Sequence, residues 1–513
     1  MIKSHWLKYV FIAAYFLVGF GFLMTMFSHW AYDDPFITYR YAHNLADGMG
    51  FVYNPNEHVL STTTPLFTIV LASLNWLWLD LPSIANLIGV VSLLVAAIFL
   101  WDLSGSMKAP MVGWAGLLLY PTFPLLVMTL GSETPLYLAF SLGAFAFYAR
   151  ENYRMTAALT ALAVLTRPDG ILVAFVLGVD YLIRLFGFQS LQENNNSRMY
   201  LRINTQLFGQ FGVTLQRIVR TIPWYAVVLF IGLTLPWFIY AWTNFGSPIP
   251  ATMSAKQLQG SMAISEKFAP GLLSIAGQYA AHWQYWLQLI LSIVGVIYLI
   301  MRAHRWLILI AWMVLYFIGY TILGVSRYFW YYAPLLPGFL VLVGLGIEAI
   351  TGTARFFMSK RSWYRWLIPL SIGIVLVLFS AQIVHLYQLK AVPDGRYPIY
   401  REVGEWLQAH TEPGSLVGTL EVGIIGYYSQ REMIDFAGLI YPQVAAQLSP
   451  HTNYEDAALY VQETFKPDYM VLHEGLFQRL EQTLIEKRCN LARYFVGERH
   501  GFASNLSIYV CNY

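Results

Sequence analysis

The chain has 513 residues, of which 57% are hydrophobic and only 12% charged, about half the charge of an average soluble domain. A soluble protein cannot hide so many long apolar stretches, and a net charge of +3 is too small to suggest a nucleic-acid partner. The composition points to a polytopic α-helical membrane protein, in which the placement of charges tells more than their sum.

In chain order, the first apolar segment, 9–28, follows Lys3 and Lys8. It is long, no small-x-small cleavage pattern follows it, and Trp30-Ala-Tyr-Asp-Asp comes next, so it reads as an uncleaved helix rather than a signal peptide. Further apolar segments fall at 62–79, 83–101, 111–128, 134–150, 155–166, 170–186, 222–243, 282–301, 306–323, 330–352 and 366–388. Most are long enough to cross a hydrocarbon core of ~30 Å. Segment 155–166 is short, and 62–79 opens with Thr-Thr-Thr-Pro and runs out through Trp-Leu-Trp-Leu-Asp, so it is amphipathic at both ends.

Cytoplasmic loops keep the excess of Lys and Arg. If 62–79 does not cross, the short inside loops hold sixteen of these residues and the outside loops five; if it crosses, the count becomes six against fifteen. The first arrangement predicts about eleven spans in the plasma (inner) membrane, an inside N-terminus and an outside C-terminal domain. Segment 62–79 becomes a juxtamembrane or half-inserted helix within a first outer loop, 29–82. The Asn- and Arg-rich stretch of about 187–221 is then an inner, solvated loop facing lipid headgroups. The same assignment brings Asp33, Asp34, Glu133, Arg167, Asp169, Lys256 and Arg327 to the outer surface.

From about residue 391 charged residues appear regularly, which divides the chain into a transmembrane part, 1–390, and a soluble extracytoplasmic α/β domain, 391–513. Residues 400–410 read as an amphipathic helix stopped by Glu412, Pro413 and Gly414, and 415–420, 431–436 and 468–472 read as strands. Cys489 and Cys511 lie in this domain. They form either a disulfide, which an oxidising outer space permits, or two unpaired thiols.

Asp33 and Asp34 are the sharpest chemical signal. Adjacent carboxylates at the membrane boundary raise one another's pKa, and such a group can take a proton from an alcohol or hold a divalent cation. The plain alternative is a pair of acidic residues ending a helix. Residues 33–59 read DDPFITYRYAHNLADGMGFVYNPNEHV, followed by Thr64, Pro65 and Leu66. This stretch resembles the first outer loop of GT-C glycosyltransferases, most closely the branch containing mycobacterial terminal arabinofuranosyltransferases. Tyr53 is one residue more than that pattern carries before its Asn-Pro. Three more stretches resemble the same family: GSETPL at 131–136, LTRPDG at 165–170 and FGSPIPATMSAK at 245–256. In the last, Ala251 stands where Asn is often seen, so no role of that Asn carries over. Over the soluble domain IDFAGL, 434–439, is the only familiar phrase.

The resemblance implies a GT-C-like fold with juxtamembrane helices in the first outer loop. It also implies transfer of a sugar from a polyprenyl-phosphate donor to a glycan, glycolipid or protein acceptor at the outer face. A lipid phosphate is a competent leaving group that needs cationic stabilisation more than an acid, so one carboxylate suffices as base and the anomeric centre inverts. Asp33 is the expected base and Asp34 its partner, orienting the acceptor or a cation, and the two can exchange roles.

Lys256 and Arg327 are candidate phosphate contacts, or else contacts to lipid headgroups or helix ends. Glu133 and Asp169 line a sugar pocket or are solvated at helix ends, and Arg167 is expected to clamp a carboxylate. His58 is grouped with the donor-facing residues. His43 and His58 are also weak candidates to ligate Mg2+ or Mn2+ with Asp33 or Asp34, the ordinary alternative being solvated loop histidines. The aromatic run Tyr328, Phe329, Trp330, Tyr331 and Tyr332 reads as an interfacial belt, with stacking on sugar or lipid as the alternative. Two other functions fit the composition: a transporter or flippase of lipid-linked sugars, and a non-catalytic scaffold that binds them. A transporter commonly carries inverted repeats and mid-membrane charges, and neither is evident in this sequence.

Overall fold

The computed structural model describes residues 2–55, 57–75, 80–185, 221–358, 367–391, 394–486 and 489–513. The stretch expected as a large inner loop lies outside the described residues except for Thr221, as do Lys360, Arg361 and Arg365.

Seven helices among the described residues are long and apolar enough to cross a membrane. Leu81–Ser106 runs inside the bundle, packed on Pro110–Leu119 and Thr134–Tyr148, whereas Trp224–Phe245 exposes most of its apolar surface, as a lipid-facing helix does. Trp283–Arg302 and Leu336–Met358 cross backbone to backbone. A Cβ on Gly295 would stand 1.9 Å from the Leu342 carbonyl oxygen, and one on Gly346 would stand 2.0 Å from that of Leu291. Small residues of this kind let helices approach where lipid supplies no hydrophobic drive.

One segment differs from what the sequence suggests. The expected span at 111–128 is two helices, Pro110–Leu119 and Pro124–Val127. Pro121 and Pro124 follow Tyr120, and proline can begin a helix but cannot continue one. In the doubtful segment 62–79 the helix is Pro65–Asn75, 11 residues, with 76–79 outside the described residues. At 1.5 Å per residue such a helix covers about 16 Å, well short of a ~30 Å core.

The C-terminal region holds a five-stranded sheet of order β2-β1-β3-β5-β4, formed by Leu416–Thr419 (β1), Glu432–Asp435 (β2), Tyr469–His473 (β3), Asn490–Phe495 (β4) and Leu506–Val510 (β5). β1 is parallel to β2 and β3, and β5 runs antiparallel to β3 and β4. The last three residues of β1 and β2 and the last four of β3 are buried without alternation, as expected for parallel strands covered on both faces. The first three strands fall on the segments read as strands, and the helix read at 400–410 begins earlier, as Arg396–His410. Cys489 and Cys511 are joined in a disulfide that ties the β4 and β5 ends together.

The helix Asp34–Ala46 is buried along nearly its whole length. Its Phe36, Tyr39 and Tyr41, with Phe51 and Tyr53 of the following loop, form one apolar cluster with Tyr400, Val403, Val417, Val422, Ile424, Ile425 and Met433 of the C-terminal domain. The first loop is thus a plate onto which the domain is docked.

Candidate active site

Asp33 sits at the N-cap position of the helix Asp34–Ala46, with Pro35 in the first turn. Its carboxylate, half-buried, accepts two backbone N–H groups of the C-terminal domain: Gly423 N to Oδ2 at 3.0 Å and Ile424 N to Oδ1 at 2.7 Å. Gly423 has no room for a side chain, because a Cβ there would stand 2.0 Å from the Asp33 carbonyl oxygen and 2.6 Å from its carboxylate. Glu421 lies two residues before Gly423, just past the carboxyl end of β1, and Asp33 is its main charged influence after burial.

Asp34 turns the other way. Its Oδ1 accepts Lys256 Nζ at 3.1 Å, with the Asp34 side chain 34% exposed and that of Lys256 11%. Burial works to lower the Lys256 pKa, but the Asp34 carboxylate and Tyr331 together outweigh it and hold the ammonium well above its ordinary range. Lys256 comes from the helix Ala251–Ser261. Its Nζ lies 5.1, 5.4 and 5.5 Å from the ring centroids of Tyr328, Trp330 and Tyr331, within cation–π range. The aromatic run read as an interfacial belt therefore folds inward as turns before the helix Leu336–Met358, and three of its rings surround a lysine.

Tyr331 also joins this pair to a second charged group, because the Arg167 guanidinium carbon lies 5.9 Å from its ring centroid. Arg167 is held between two carboxylates: Nη1 reaches Glu133 Oε1 at 2.8 Å and Nη2 reaches Asp169 Oδ2 at 2.8 Å. The Tyr320 hydroxyl donates to Asp169 Oδ2 and accepts from Arg167 Nη2, each at 2.8 Å. The Arg167 side chain is only 6% exposed. Replacing Arg167 by alanine would leave two carboxylates with little exposure and no counter-charge, so the folded state should lose about 3–5 kcal/mol. Thermal unfolding of the solubilised variant measures it, and Arg167→Lys should recover little because one ammonium cannot serve both carboxylates in the plane.

Other residues singled out in the sequence lie apart. Arg327 is exposed and pairs with Glu266 at 2.6 Å, and its backbone N–H also binds the Glu266 carbonyl at 2.7 Å. His58 is exposed in the loop. His43 lies further along the helix, roughly 13 Å from Asp34 by helical rise, and pairs with Asp47 at 3.3 Å. Of the residues considered for Mg2+ or Mn2+, Asp33 accepts two backbone N–H groups, Asp34 accepts Lys256 and His43 pairs with Asp47. Among the described residues no three His, Cys, Asp or Glu side chains stand together as a metal would need.

Sequence reasoning missed the groups that dock the C-terminal domain. Buried Arg40 donates to three backbone carbonyls: Tyr53 at 3.1 Å, Arg431 at 2.6 Å and Gly426. The Tyr53 hydroxyl, on the residue that departs from the family pattern, donates to the Val422 carbonyl at 2.5 Å. Asn54 pairs with both backbone groups of Met433, donating at 2.8 Å and accepting at 3.0 Å, as a neighbouring strand would. Glu57 accepts the Tyr441 hydroxyl. A short strand followed by Gly423 and Gly426 was the one available signal for the receiving turn.

Buried carboxyls of the first loop and the C-terminal domain titrate high. Burial raises Asp33 despite its two N–H donors, burial and then Asp33 raise Glu421, and burial pushes Asp435 up to about 7. A carboxyl raised on folding binds its proton more tightly in the folded state. Its contribution is complete below the ordinary carboxylate range of about 4 and is lost as pH rises through the raised value. The C-terminal domain should therefore resist proteolytic release better at pH 5.5 than at pH 9, which limited proteolysis of the full chain across that range measures.

The structure of ArnT from Cupriavidus metallidurans bound to undecaprenyl phosphate superposes with a TM-score of 0.58 at 14% identity, over 99% of this chain and 98% of that one. ArnT in the apo state gives 0.51 at 12% identity, over 99% and 98%. The chain has the GT-C fold. This fold and the seven apolar helices make it a multi-pass membrane protein. A family described as a domain of unknown function (DUF8728) matches residues 387–509, the region of the sheet. No curated protein matches the chain. Within the GT-C fold, Asp34, Lys256 and the Arg167 cluster lie at the end of the helix bundle that carries the C-terminal domain.

Proposed function

We propose that the chain is a membrane-embedded, inverting glycosyltransferase. It moves a sugar from a polyprenyl-phosphate donor to a hydroxyl of a cell-envelope glycan, glycolipid or protein on the extracytoplasmic side, with the N-terminus in the cytoplasm. The observation that carries this reading is the Lys256–Asp34 pair at 3.1 Å, a cation and a partly exposed carboxylate side by side. The GT-C fold shared with a protein that binds undecaprenyl phosphate supports the donor class. The motifs of residues 33–66 favour the branch resembling terminal arabinofuranosyltransferases.

In this reading Lys256 holds the pair closed until the donor arrives. The phosphate then takes the ammonium, which stabilises negative charge on the leaving oxygen, and Asp34 is released as the base. The acceptor oxygen attacks the anomeric carbon as its proton passes to Asp34. The bond from that carbon to the lipid phosphate breaks with its electron pair on the phosphate, and the centre inverts. Asp33, with both oxygens engaged by Gly423 and Ile424, takes the docking role and Asp34 the chemical one. The Arg167 cluster and Tyr331 form the wall nearest the sugar.

Purified protein given a radiolabelled polyprenyl-phosphate sugar and envelope acceptors tests the proposal. Label in the acceptor supports it. Translocation of the lipid across vesicles with no transfer from any such donor would establish the transporter instead, and donor binding without either activity would establish the scaffold.

A further inference from the structure

We infer that Gln259 is a positioning residue through which the C-terminal domain sets the Lys256 end of the donor site. The inference rests on the reading of Lys256 as the contact for the lipid phosphate. Gln259 lies one turn after Lys256 on the helix Ala251–Ser261 and is completely buried. Both ends of its amide are used. Nε2 donates to the Ala437 carbonyl at 2.9 Å, and Oε1 accepts the Tyr328 hydroxyl at 2.7 Å. The Tyr328 ring is one of the three around Lys256 Nζ.

The partner carbonyl is held by a built turn. Asp435, at the end of β2, accepts the backbone N–H of Leu439 and of Ile440, and Gly438 adopts φ +71°, which favours glycine. This turn is the IDFAGL phrase of residues 434–439, which neither the chemistry nor the docking plate uses. It fixes where Ala437 presents its oxygen. The opposite flank of the helix is pinned as firmly, because a Cβ on Gly260 would stand 2.2 Å from the Gly324 carbonyl oxygen. Met262, just past the helix end, is buried in the core of the C-terminal domain among Phe436, Val444 and Leu448. The helix that carries Lys256 is thus gripped by the domain at Gln259 and Met262. The chain of contacts runs from the Ala437 carbonyl through Gln259 and Tyr328 to the ring beside the ammonium. A domain that shifts on engaging an acceptor would move this ring and this helix together.

The test uses the full chain in nanodiscs and undecaprenyl phosphate as the probe. Gln259→Leu and Tyr328→Phe should each weaken its binding roughly tenfold, the equivalent of about one lost buried hydrogen bond. Lys256→Ala should weaken it more. Because Gln259 acts through Lys256, the double variant Lys256→Ala/Gln259→Leu should bind no more weakly than Lys256→Ala alone, whereas independent structural damage would add. Tyr328→Phe keeps the ring and leaves Gln259 in place, so it carries the test if Gln259→Leu does not fold. Wild-type affinity in the foldable Gln259 and Tyr328 variants, with Lys256→Ala weakened, overturns the inference and spares the reading of Lys256. Wild-type affinity in Lys256→Ala overturns both.

Discussion

Replacing Asp34 by asparagine should lower the rate of sugar transfer by roughly 10²–10⁴-fold, the range over which a positioned general base acts. Asparagine keeps the size of the side chain and can still accept a hydrogen bond from Lys256, so the site keeps its shape. What it loses is the capacity to take the acceptor's proton. Donor binding should move the opposite way. Lys256 is tied to Asp34 at 3.1 Å with little exposure, and an incoming phosphate must compete for it. With the carboxylate neutralised that competition falls, so undecaprenyl phosphate should bind at least as tightly to Asp34→Asn as to the wild type. Turnover that falls while affinity holds or rises separates a base from a phosphate contact. The same substitution at Asp33 should act mainly on docking, since its oxygens receive Gly423 and Ile424.

Arg40→Ala should free the C-terminal domain from the membrane part, at a cost of about 3–5 kcal/mol. Arg40 is 2% exposed and faces carbonyls rather than a carboxylate. Its guanidinium gathers the Tyr53, Gly426 and Arg431 carbonyls and lies 4.9 Å from the Tyr53 ring centroid. Truncation removes the charged donor common to all three, leaving the Tyr53 carbonyl only Asn44 and the Gly426 carbonyl only the Gln430 N–H and the Ser429 hydroxyl, and removes packing from beneath Tyr53, whose hydroxyl holds Val422. Because the apolar cluster of the first loop is shared with the domain, the loss should appear as earlier unfolding of the domain and faster cleavage between it and the bundle. Lysine at this position should not restore it, since a single ammonium cannot span three carbonyls.

Much of this architecture was legible in the chain. Apolar length marked the helices, and three strands of the sheet followed from short β-rich runs. The interface residues of 62–79 signalled a short helix, and its described part, Pro65–Asn75, has 11 residues. What remained hidden was direction. Asp33 and Asp34 are indistinguishable as letters, yet successive positions at a helix start point to different sides, and only the packed C-terminal domain decides which carboxylate is sealed. Tyr328, Trp330 and Tyr331 read as a belt because aromatic residues at a span end usually face headgroups. The short turns before Leu336 swing them onto Lys256 instead. Arg40, Tyr53, Asn54 and Glu57 carry no signal of their own, because their partners are backbone groups and a hydroxyl some 380 residues away in sequence. β4 and β5 were missed because their pairing closes on a register that no local pattern announces.

The account turns on Lys256 changing partner, so the most direct measurement is a structure of this chain with undecaprenyl phosphate bound in a lipid environment. The prediction is a phosphate oxygen within hydrogen-bond reach of Lys256 Nζ, with Asp34 released and open to an acceptor hydroxyl. A phosphate seated elsewhere, with the Lys256–Asp34 pair intact, would contradict it.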